Sequence, residues 1–332
     1  GTDKAVMMGL MGFKVESFRS DLLQRYVNQI IKEKKININR KKEIPFDPLK
    51  NITLNFNKKN LFHPNRIDFR ANYHNNDQCF VTYYSVGGGF IEKKGKIEKI
   101  KDKSAIPYPI QKAEHIIKWS LSNKKSLAEI SMENEMCWLD KEKIISSLDK
   151  IWETMLNSIF LGCQTGGELP GGLNVKRRAK LLNDSLLGDS IYSSKYEWMD
   201  LIKNQNHELD VVTNWVSCFA LAVNEVNASY GKIVTAPTNG AAGVIPAVLM
   251  YYLCFNKNNG LKDIREFLLV AGEIGMLFKK GATISAAAGG CQAEIGVSSA
   301  MAAAALVHVL GGNTLQVLMA AEIAMEHHLG LS

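Results

Sequence analysis

Residues 241–254 read AAGVIPAVLMYYLC, an uncharged segment that is apolar on every side of a helix. A helix of this composition has to be buried among other helices, so the segment predicts the centre of a helical domain. Its 14 residues are too few to cross a membrane, and Pro246 lies inside it. The alanine-rich run 295–310 follows Glu294 and is predicted to be a second buried helix rather than a membrane span.

The chain around this segment is also predicted to be helical from about residue 110 onward. Apolar residues recur there every three to four positions, and breaks that contain Gly or Pro separate the helices. We predict helices at 111–122, 126–138, 141–163, 176–186, 209–228, 241–256, 261–279, 291–310 and 314–328.

The first 103 residues mix two patterns. Residues 21–33 have the apolar spacing of an amphipathic helix. Alternation, together with β-branched and aromatic residues, predicts strands at 52–56, 66–70 and 78–86. This part of the chain is therefore predicted to be α+β.

A composition shift marks a linker between the two parts. Residues 93–103 are charged and contain glycine, and Pro107 and Pro109 follow. The sequence predicts an α+β N-terminal domain at 1–103, followed by an all-α domain with buried apolar helices at 108–332. Because the first residue is Gly and the chain stops directly after a helical pattern, we expect both domains to be partial.

Charge is distributed unevenly along the chain. Residues 1–103 carry 21 Lys and Arg against 11 Asp and Glu, whereas residues 104–332 carry 19 against 22. The basic stretches 32–42 and 93–103 lack interleaved aromatic residues and any nucleic-acid-binding signature, so we expect solvated loops and no nucleic-acid partner. No Lys or Arg follows Lys280, which fits a buried helical core.

The six cysteines form no C-x-x-C pair and suit neither a zinc site nor a secreted disulfide framework. No signal-peptide pattern opens the chain, so we predict reduced thiols in a cytoplasmic protein. Cys291 stands apart, because it follows Gly289 and Gly290 at the start of a predicted Ala-rich helix. A thiol in that position can be a metal ligand or a nucleophile, and a buried structural thiol is an equally open interpretation.

Residues 235–243 read TAPTNGAAG and lead into the apolar helix 241–256. Thr238 or Asn239 can cap this helix, and Gly240 and Ala241 leave its first amides accessible. Such amides suit an anion, for example a carboxylate. The alternative is an ordinary capped helix start that is tightly packed.

Four other motifs are weaker candidates. Residues 322–328 contain adjacent histidines without an H-E-x-x-H pattern, so zinc binding is not expected. The acidic run 126–135 is predicted to be a solvated helix face. Neither the basic residues 176–178 nor the glycines 87–89 match a phosphate-binding pattern.

Several of these segments, in this order, resemble the iron–sulfur-dependent bacterial L-serine dehydratases of the single-chain type. The segments similar to the family's β-chain domain are TDKAVMMGL at 2–10 and YYSVGGGF at 83–90. Those similar to its α-chain domain are MENE at 132–135, LPG at 169–171, RRA at 177–179 and AVNE at 222–225. The most specific are VTAPTNGA at 234–241, GCQ at 290–292 and AEIAMEHHLGL at 321–331.

The resemblance implies a cytoplasmic, homodimeric lyase that converts L-serine to pyruvate and ammonia, in amino-acid catabolism and gluconeogenesis. It implies a 4Fe-4S cluster held by three cysteines, with an open iron that acts as a Lewis acid on the substrate hydroxyl. Cys291 would be the first cluster ligand. The substrate carboxylate would be bound by Thr235, Thr238, Asn239, Gly240 and Ala241. The resemblance assigns no residue of this chain as the catalytic base.

The chain also departs from the family pattern. The other two cluster cysteines would follow Leu331, and a serine-binding loop rich in Ser and containing His would precede Gly1. Residues 287–290 lack the family's usual acidic residue, and Ala293 replaces a Gly. We therefore expect that this chain alone cannot hold an intact cluster and is inactive. Two alternatives stay open: a pyridoxal-phosphate dehydratase, although no Schiff-base lysine motif stands out, and a non-enzymatic remnant with a regulatory or assembly role.

Overall fold

The computed structural model describes residues 1–55, 63, 65–73, 77–86, 89–95, 106–257, 259–283 and 286–330. Phe56, Gly87, Gly88 and most of the predicted linker lie outside these residues. The chain divides into two compact units, one formed by residues 1–60 with 230–232 and the other by residues 61–229 with 233–332. The domain boundary between residues 103 and 108 stays a prediction.

The first unit packs two helices and a hairpin around a small apolar core. Its elements are α1 (Thr2–Leu10), α2 (Leu23–Glu33), β1 (Lys35–Ile38), β2 (Lys42–Pro45) and the short α3 (Pro48–Asn51). The predicted helix at 21–33 is confirmed from Leu23 onward, because Leu23, Val27 and Ile30 form one buried face. The predicted strand at 52–56 is wrong over residues 52–55, which have no ladder partner.

The second unit begins with a three-stranded antiparallel sheet in the order β3 (Arg66–Asn72), β4 (Gln78–Ser85) and β5 (Ile91–Lys93). Arg66 pairs with Tyr84, and Tyr84 pairs in turn with Glu92. The two predicted strands at 66–70 and 78–86 are confirmed. The sequence analysis did not predict β5.

Helices make up the rest of the second unit. They are α4 (Ala113–Asn123), α5 (Leu127–Glu135), α6 (Lys141–Gln164), α7 (Ala179–Leu187), α8 (Lys195–Lys203), α9 (Leu209–Ala228), α10 (Val244–Phe255), α11 (Leu261–Gly281), α12 (Ala286–Cys291), α13 (Val297–Val309) and α14 (Thr314–Glu326). The sequence analysis missed α8, whose start has the usual signal of a capping serine: the Ser194 side chain accepts a hydrogen bond from the Glu197 amide.

Several predicted helices differ from the observed ones. The helix expected at 126–138 ends at Glu135, and the helix expected at 176–186 begins at Ala179. The helix expected at 241–256 begins at Val244, because residues 239–243 form turns. The helix expected at 291–310 is divided, because one π-helical turn at Gln292–Gly296 lies between α12 and α13. π-Helical turns are uncommon and occur frequently at functional sites.

The helical core is packed tightly around α6, α9 and α10. Trp198, Trp215 and Phe219 are fully buried and their rings touch, with the Trp215 and Phe219 centroids 5.5 Å apart. A Cβ atom at Gly162 of α6 would lie 2.6 Å from the Cα of Ala222 in α9, so only glycine permits this approach. Eight of the twelve residues of α10 are buried, as its uncharged sequence requires.

One helical run among the described residues, Ala288–Val309, is long and apolar enough to cross a membrane. Half of it is buried against the rest of the protein. Core helices of soluble proteins have the same length and composition, so this run is weak support for a membrane span.

Candidate active site

The loop between α9 and α10 is held in shape by its own polar side chains. The Thr235 hydroxyl donates to Asn239 Oδ1 at 2.6 Å, and Asn227 Nδ2 donates to the Asn239 carbonyl oxygen at 3.2 Å. Thr238 is buried, whereas Asn239 and Gly240 are exposed. The loop therefore presents a short open surface at 239–240, directly before the buried Ala241.

Thr238 and Asn239 do not cap α10, contrary to the sequence-based expectation. The N-cap of α10 is Gly243, and no side chain bonds to the first turn there. A Cβ atom at Gly243 would lie 2.7 Å from the Ala220 carbonyl oxygen of α9, so the helix starts where glycine lets the two backbones meet. The Thr238 hydroxyl instead accepts a long hydrogen bond from the Ala241 amide, 3.4 Å, within the turn.

A carboxylate of the protein lies on this loop. The Thr238 hydroxyl donates a short hydrogen bond to Glu294 Oε1. A Cβ atom at Gly240 would lie only 2.9 Å from the Glu294 carboxyl carbon, so the missing side chain at Gly240 leaves room for the carboxylate. Thr238 and Gly240 thus lie against Glu294, although Thr238 and Glu294 are 56 positions apart along the chain.

Cys291 lies three residues before Glu294. It is the last residue of α12 and the N-cap of the π-helical turn, and Gly290 before it has φ +66°. Its side chain is half-buried. The sequence placed Cys291 at the start of the Ala-rich helix, but a full π turn separates it from α13. We call residues 290–296 the cysteine turn. The structure brings this turn and the 235–243 loop together through Glu294.

The described part of the C-terminal motif, residues 321–330, contacts the cysteine turn. Gln292 Nε2 donates to the Met325 carbonyl oxygen at 3.1 Å, and a Cβ atom at Gly296 would lie 2.9 Å from the Met325 sulfur. Ser299 Oγ and His328 Nε2 are 3.3 Å apart. Among the described groups, the buried Gln292 Oε1 has no hydrogen-bond partner.

The described residues contain no group of three His, Cys, Asp or Glu side chains that could hold a metal ion. His327 Nδ1 and His328 Nδ1 each contact the carbonyl oxygen four residues earlier, at 2.8 and 2.6 Å. Cys291 fits as one ligand of a metal group, because it is half-exposed at a turn. A complete set of cluster ligands is not present within the described ranges.

The other cysteines have different surroundings. Cys79 and Cys137 are exposed, and Cys163, Cys218 and Cys254 are buried in the helical core. Burial raises the pKa of the Cys254 thiol to about 12. Burial, reinforced by the Cys218 sulfur 3.7 Å away, raises the pKa of Cys163 well above its ordinary value. The raised pKa values keep the Cys163 and Cys254 thiols protonated at neutral pH, so these two are poor metal ligands.

The acidic run at 126–135 is less solvated than the sequence suggested. Glu133 accepts hydrogen bonds from Lys125 Nζ, and from the Tyr108 hydroxyl at 2.9 Å. The hydrogen bond from Lys125 holds the pKa of the Glu133 carboxyl below its usual value. Asn134 exchanges two hydrogen bonds with the Tyr108 backbone, 2.8 and 3.0 Å. These side chains therefore fix the segment that leads into α4.

Glu225 has a comparable structural role at the start of α7. Its Oε1 accepts hydrogen bonds from the Arg178 and Ala179 amides, at 2.6 and 3.2 Å, which satisfies two free amides of that helix. The Arg177 guanidinium donates to the Ser229 hydroxyl at 2.5 Å. Of the basic residues 176–178, Arg177 is buried and its side chain thus bonds to a group of the protein itself.

Sequence reasoning missed Glu294 as a member of this site. One signal was present: Glu294 is the single Asp, Glu, Lys or Arg between Lys280 and Glu322. An isolated charge within such an apolar stretch needs a polar partner, and Thr238 supplies one.

Comparison with known proteins identifies similar sequences over the whole chain. The family described as serine dehydratase beta chain matches residues 1–96, and the family described as serine dehydratase alpha chain matches residues 122–332. The L-serine dehydratase of Haemophilus influenzae is 40% identical over 334 residues, which cover 100% of this chain and 70% of that protein. The enzymes of Streptomyces coelicolor and Escherichia coli (L-serine dehydratase TdcG) are 37% and 38% identical, with the same coverage.

Proposed function

The chain belongs to the bacterial L-serine dehydratase family, and on this premise we propose how its residues carry out L-serine ammonia-lyase chemistry. The enzyme is a lyase that acts on L-serine. The site is assigned on the Thr238–Glu294 hydrogen bond, because this bond joins the loop at 235–243 to the turn that contains Cys291.

The loop is proposed to bind the serine carboxylate. The residues in question are Thr235, Thr238, Asn239, Gly240 and Ala241. Two features support this role: the open surface at 239–240, and the internal hydrogen bonds that hold the loop in one shape before a ligand arrives. A preformed site loses little conformational entropy when the ligand binds.

Cys291 is proposed to be one ligand of a 4Fe-4S cluster. Its accessibility and its position one turn from Glu294 support this role, and the remaining ligands are not among the described residues. When bound, such a cluster supplies an open iron that withdraws electrons from the substrate hydroxyl, which is otherwise a poor leaving group.

The reaction is an elimination followed by hydrolysis. The α-proton and the β-hydroxyl of L-serine leave as one molecule of water and give 2-aminoacrylate. Its imine tautomer then takes up one water and releases ammonia, which leaves pyruvate. In this scheme the loop keeps the carboxylate fixed while the bonds at the α and β carbons change. A cytoplasmic location and a homodimer are further proposals, and they rest on the family alone.

The test is reconstitution of the purified enzyme with iron and sulfide under anaerobic conditions, followed by a pyruvate assay with L-serine. We expect residues 1–332 alone to form no pyruvate, and a longer form that supplies the two further cluster cysteines to form pyruvate in proportion to bound iron, with one pyruvate for each ammonia released. Turnover by an iron-free enzyme with a strong cofactor band in the visible range would instead support pyridoxal-phosphate chemistry and contradict the proposal.

A further inference from the structure

Glu294 lies beside the surface that the proposed function gives to the substrate. Its carboxylate accepts the Thr238 hydroxyl and lies against Gly240. Both of these residues belong to the loop proposed to bind the serine carboxylate. A substrate carboxylate at this loop would therefore lie beside a second carboxylate, and the two negative charges would repel each other.

Within the described part of the chain, no lysine, arginine or histidine forms an ion pair with Glu294. The nearest Lys or Arg before it in sequence is Lys280. Glu294 is half-buried, so water compensates its charge only in part. A positive charge supplied by a ligand would be favourable here.

An α-amino acid supplies that charge at the required place. Its ammonium and its carboxylate are attached to the same carbon, so a carboxylate at the loop brings the ammonium close to Glu294. We infer that Glu294 binds the α-ammonium group of the substrate and thereby selects 2-amino acids over 2-hydroxy acids of the same shape. The inference rests on the proposed function, since it takes the loop at 235–243 as the carboxylate site.

The size of the expected effect follows from the loss of a charged hydrogen bond. Such a bond contributes a factor of roughly 10 to 100 in affinity. A 2-hydroxy acid can donate only a hydrogen bond without positive charge, and it leaves two carboxylates facing each other without a cation between them. Discrimination therefore comes from both the attraction of one ligand and the repulsion of the other.

L-Alanine and L-lactate are the matched probes. They differ only in the group on carbon 2, and neither has a β-hydroxyl to eliminate. Their dissociation constants are measured on the holoenzyme by isothermal titration calorimetry. We expect the wild-type enzyme to bind L-alanine about 10 to 100 times more tightly than L-lactate.

The decisive variant is Glu294→Gln. The Gln amide oxygen can still accept the Thr238 hydroxyl, so the loop keeps its anchor while the charge is lost. We expect the preference for L-alanine to fall to about one, because L-alanine binds more weakly and L-lactate does not. Glu322→Gln removes an exposed carboxylate from the same part of the chain and should keep the wild-type preference.

Further measurements keep the inference falsifiable. Glu294→Asp keeps the charge and should retain more of the preference than Glu294→Gln, and thermal melting checks that each variant is folded. Equal weakening of both ligands by Glu294→Gln, an unchanged preference, or a wild-type enzyme that fails to bind L-alanine or to discriminate would overturn it. A wild-type enzyme that forms no pyruvate from L-serine would contradict the proposed function instead, which separates the two failures.

Discussion

The helical core and the cysteine turn use the same residue type in opposite ways. In the core, Cys163 of α6 and Cys218 of α9 are completely buried, with their sulfur atoms 3.7 Å apart. Cys291 is half-exposed, and it follows a glycine with φ +66°. Burial raises the pKa of the Cys163 thiol, whereas the turn leaves Cys291 accessible. Surroundings, rather than residue type, therefore separate the buried cysteines of the core from the accessible Cys291.

Replacement of Cys291 should have the largest effect on the rate of pyruvate formation. We expect Cys291→Ser to lower pyruvate formation to the background rate and to reduce the iron bound after reconstitution, because a serine hydroxyl is a poor iron ligand. The melting temperature should stay the same, since the side chain is outside the packed core. Cys137→Ser, which changes an exposed cysteine, is the matched control and should retain full activity. Full activity of Cys291→Ser would show that Cys291, like Cys137, is not needed for pyruvate formation.

Thiol labelling should show the next largest difference. Iodoacetamide should modify Cys79, Cys137 and Cys291 in the native iron-free protein, because these side chains are exposed or half-exposed. Cys254, whose pKa burial raises to about 12, should react about 1000 times more slowly even without its steric protection. Peptide mapping by mass spectrometry reports each site.

The same raised pKa has a consequence for stability. The folded state holds the Cys254 thiol proton more tightly than the unfolded state does. The protonated thiol therefore contributes to the free energy of unfolding, and this contribution is complete below the pKa of Cys254 in the unfolded chain. It should be lost as the pH rises from that value toward about 12. Rapid labelling of Cys254 in native protein at pH 7 would contradict the buried assignment.

Gly162→Ala tests the core side of the comparison. The added Cβ would lie 2.6 Å from the Ala222 Cα, so α6 and α9 have to separate. We expect a loss of about 1–3 kcal/mol in the free energy of unfolding, measured by urea denaturation. Gly272→Ala in α11 is the control, because its Cβ would meet no atom within 4 Å. Alanine there should stabilise the helix by about 0.5–1 kcal/mol.

Gly290→Ala tests the turn side and should have the smallest effect on folding. The new Cβ would meet no atom of the described residues within 4 Å, so the expected cost comes from φ +66°. We expect a loss of about 1 kcal/mol in the free energy of unfolding, together with a lower iron content as the turn shifts Cys291. A larger loss of stability than for Gly162→Ala would show that the turn, rather than the core, limits folding.

Much of the fold could be predicted from local pattern. The helix starting at Leu23 and the strands at Arg66 and Gln78 follow from apolar periodicity, because a buried face repeats along one element. The strand expected at 52–56 failed over residues 52–55, since alternation alone supplies no partner strand. α8 was missed because its short amphipathic pattern was not weighed together with its serine cap.

The candidate site could be predicted only in pieces. The sequence pointed to the loop at 235–243 and to Cys291 separately, and the roles of both stay predictions. Glu294 was passed over, because its partner Thr238 lies 56 residues earlier and no periodicity relates the two. The N-cap of α10 was placed wrongly for a similar reason: Gly243 is the start because it meets the α9 backbone.

The amino-acid sequence by itself determined the mixture of a small α+β part with a larger helical part, the apolar character of α10, and the family of the chain. These properties depend on composition, short periods and ordered motifs. The tertiary structure alone decided where α10 begins, that a π turn follows Cys291, and that the Glu294 carboxylate lies on Gly240. Those features depend on close approach between segments far apart in the chain, which depends on packing and leaves no local pattern.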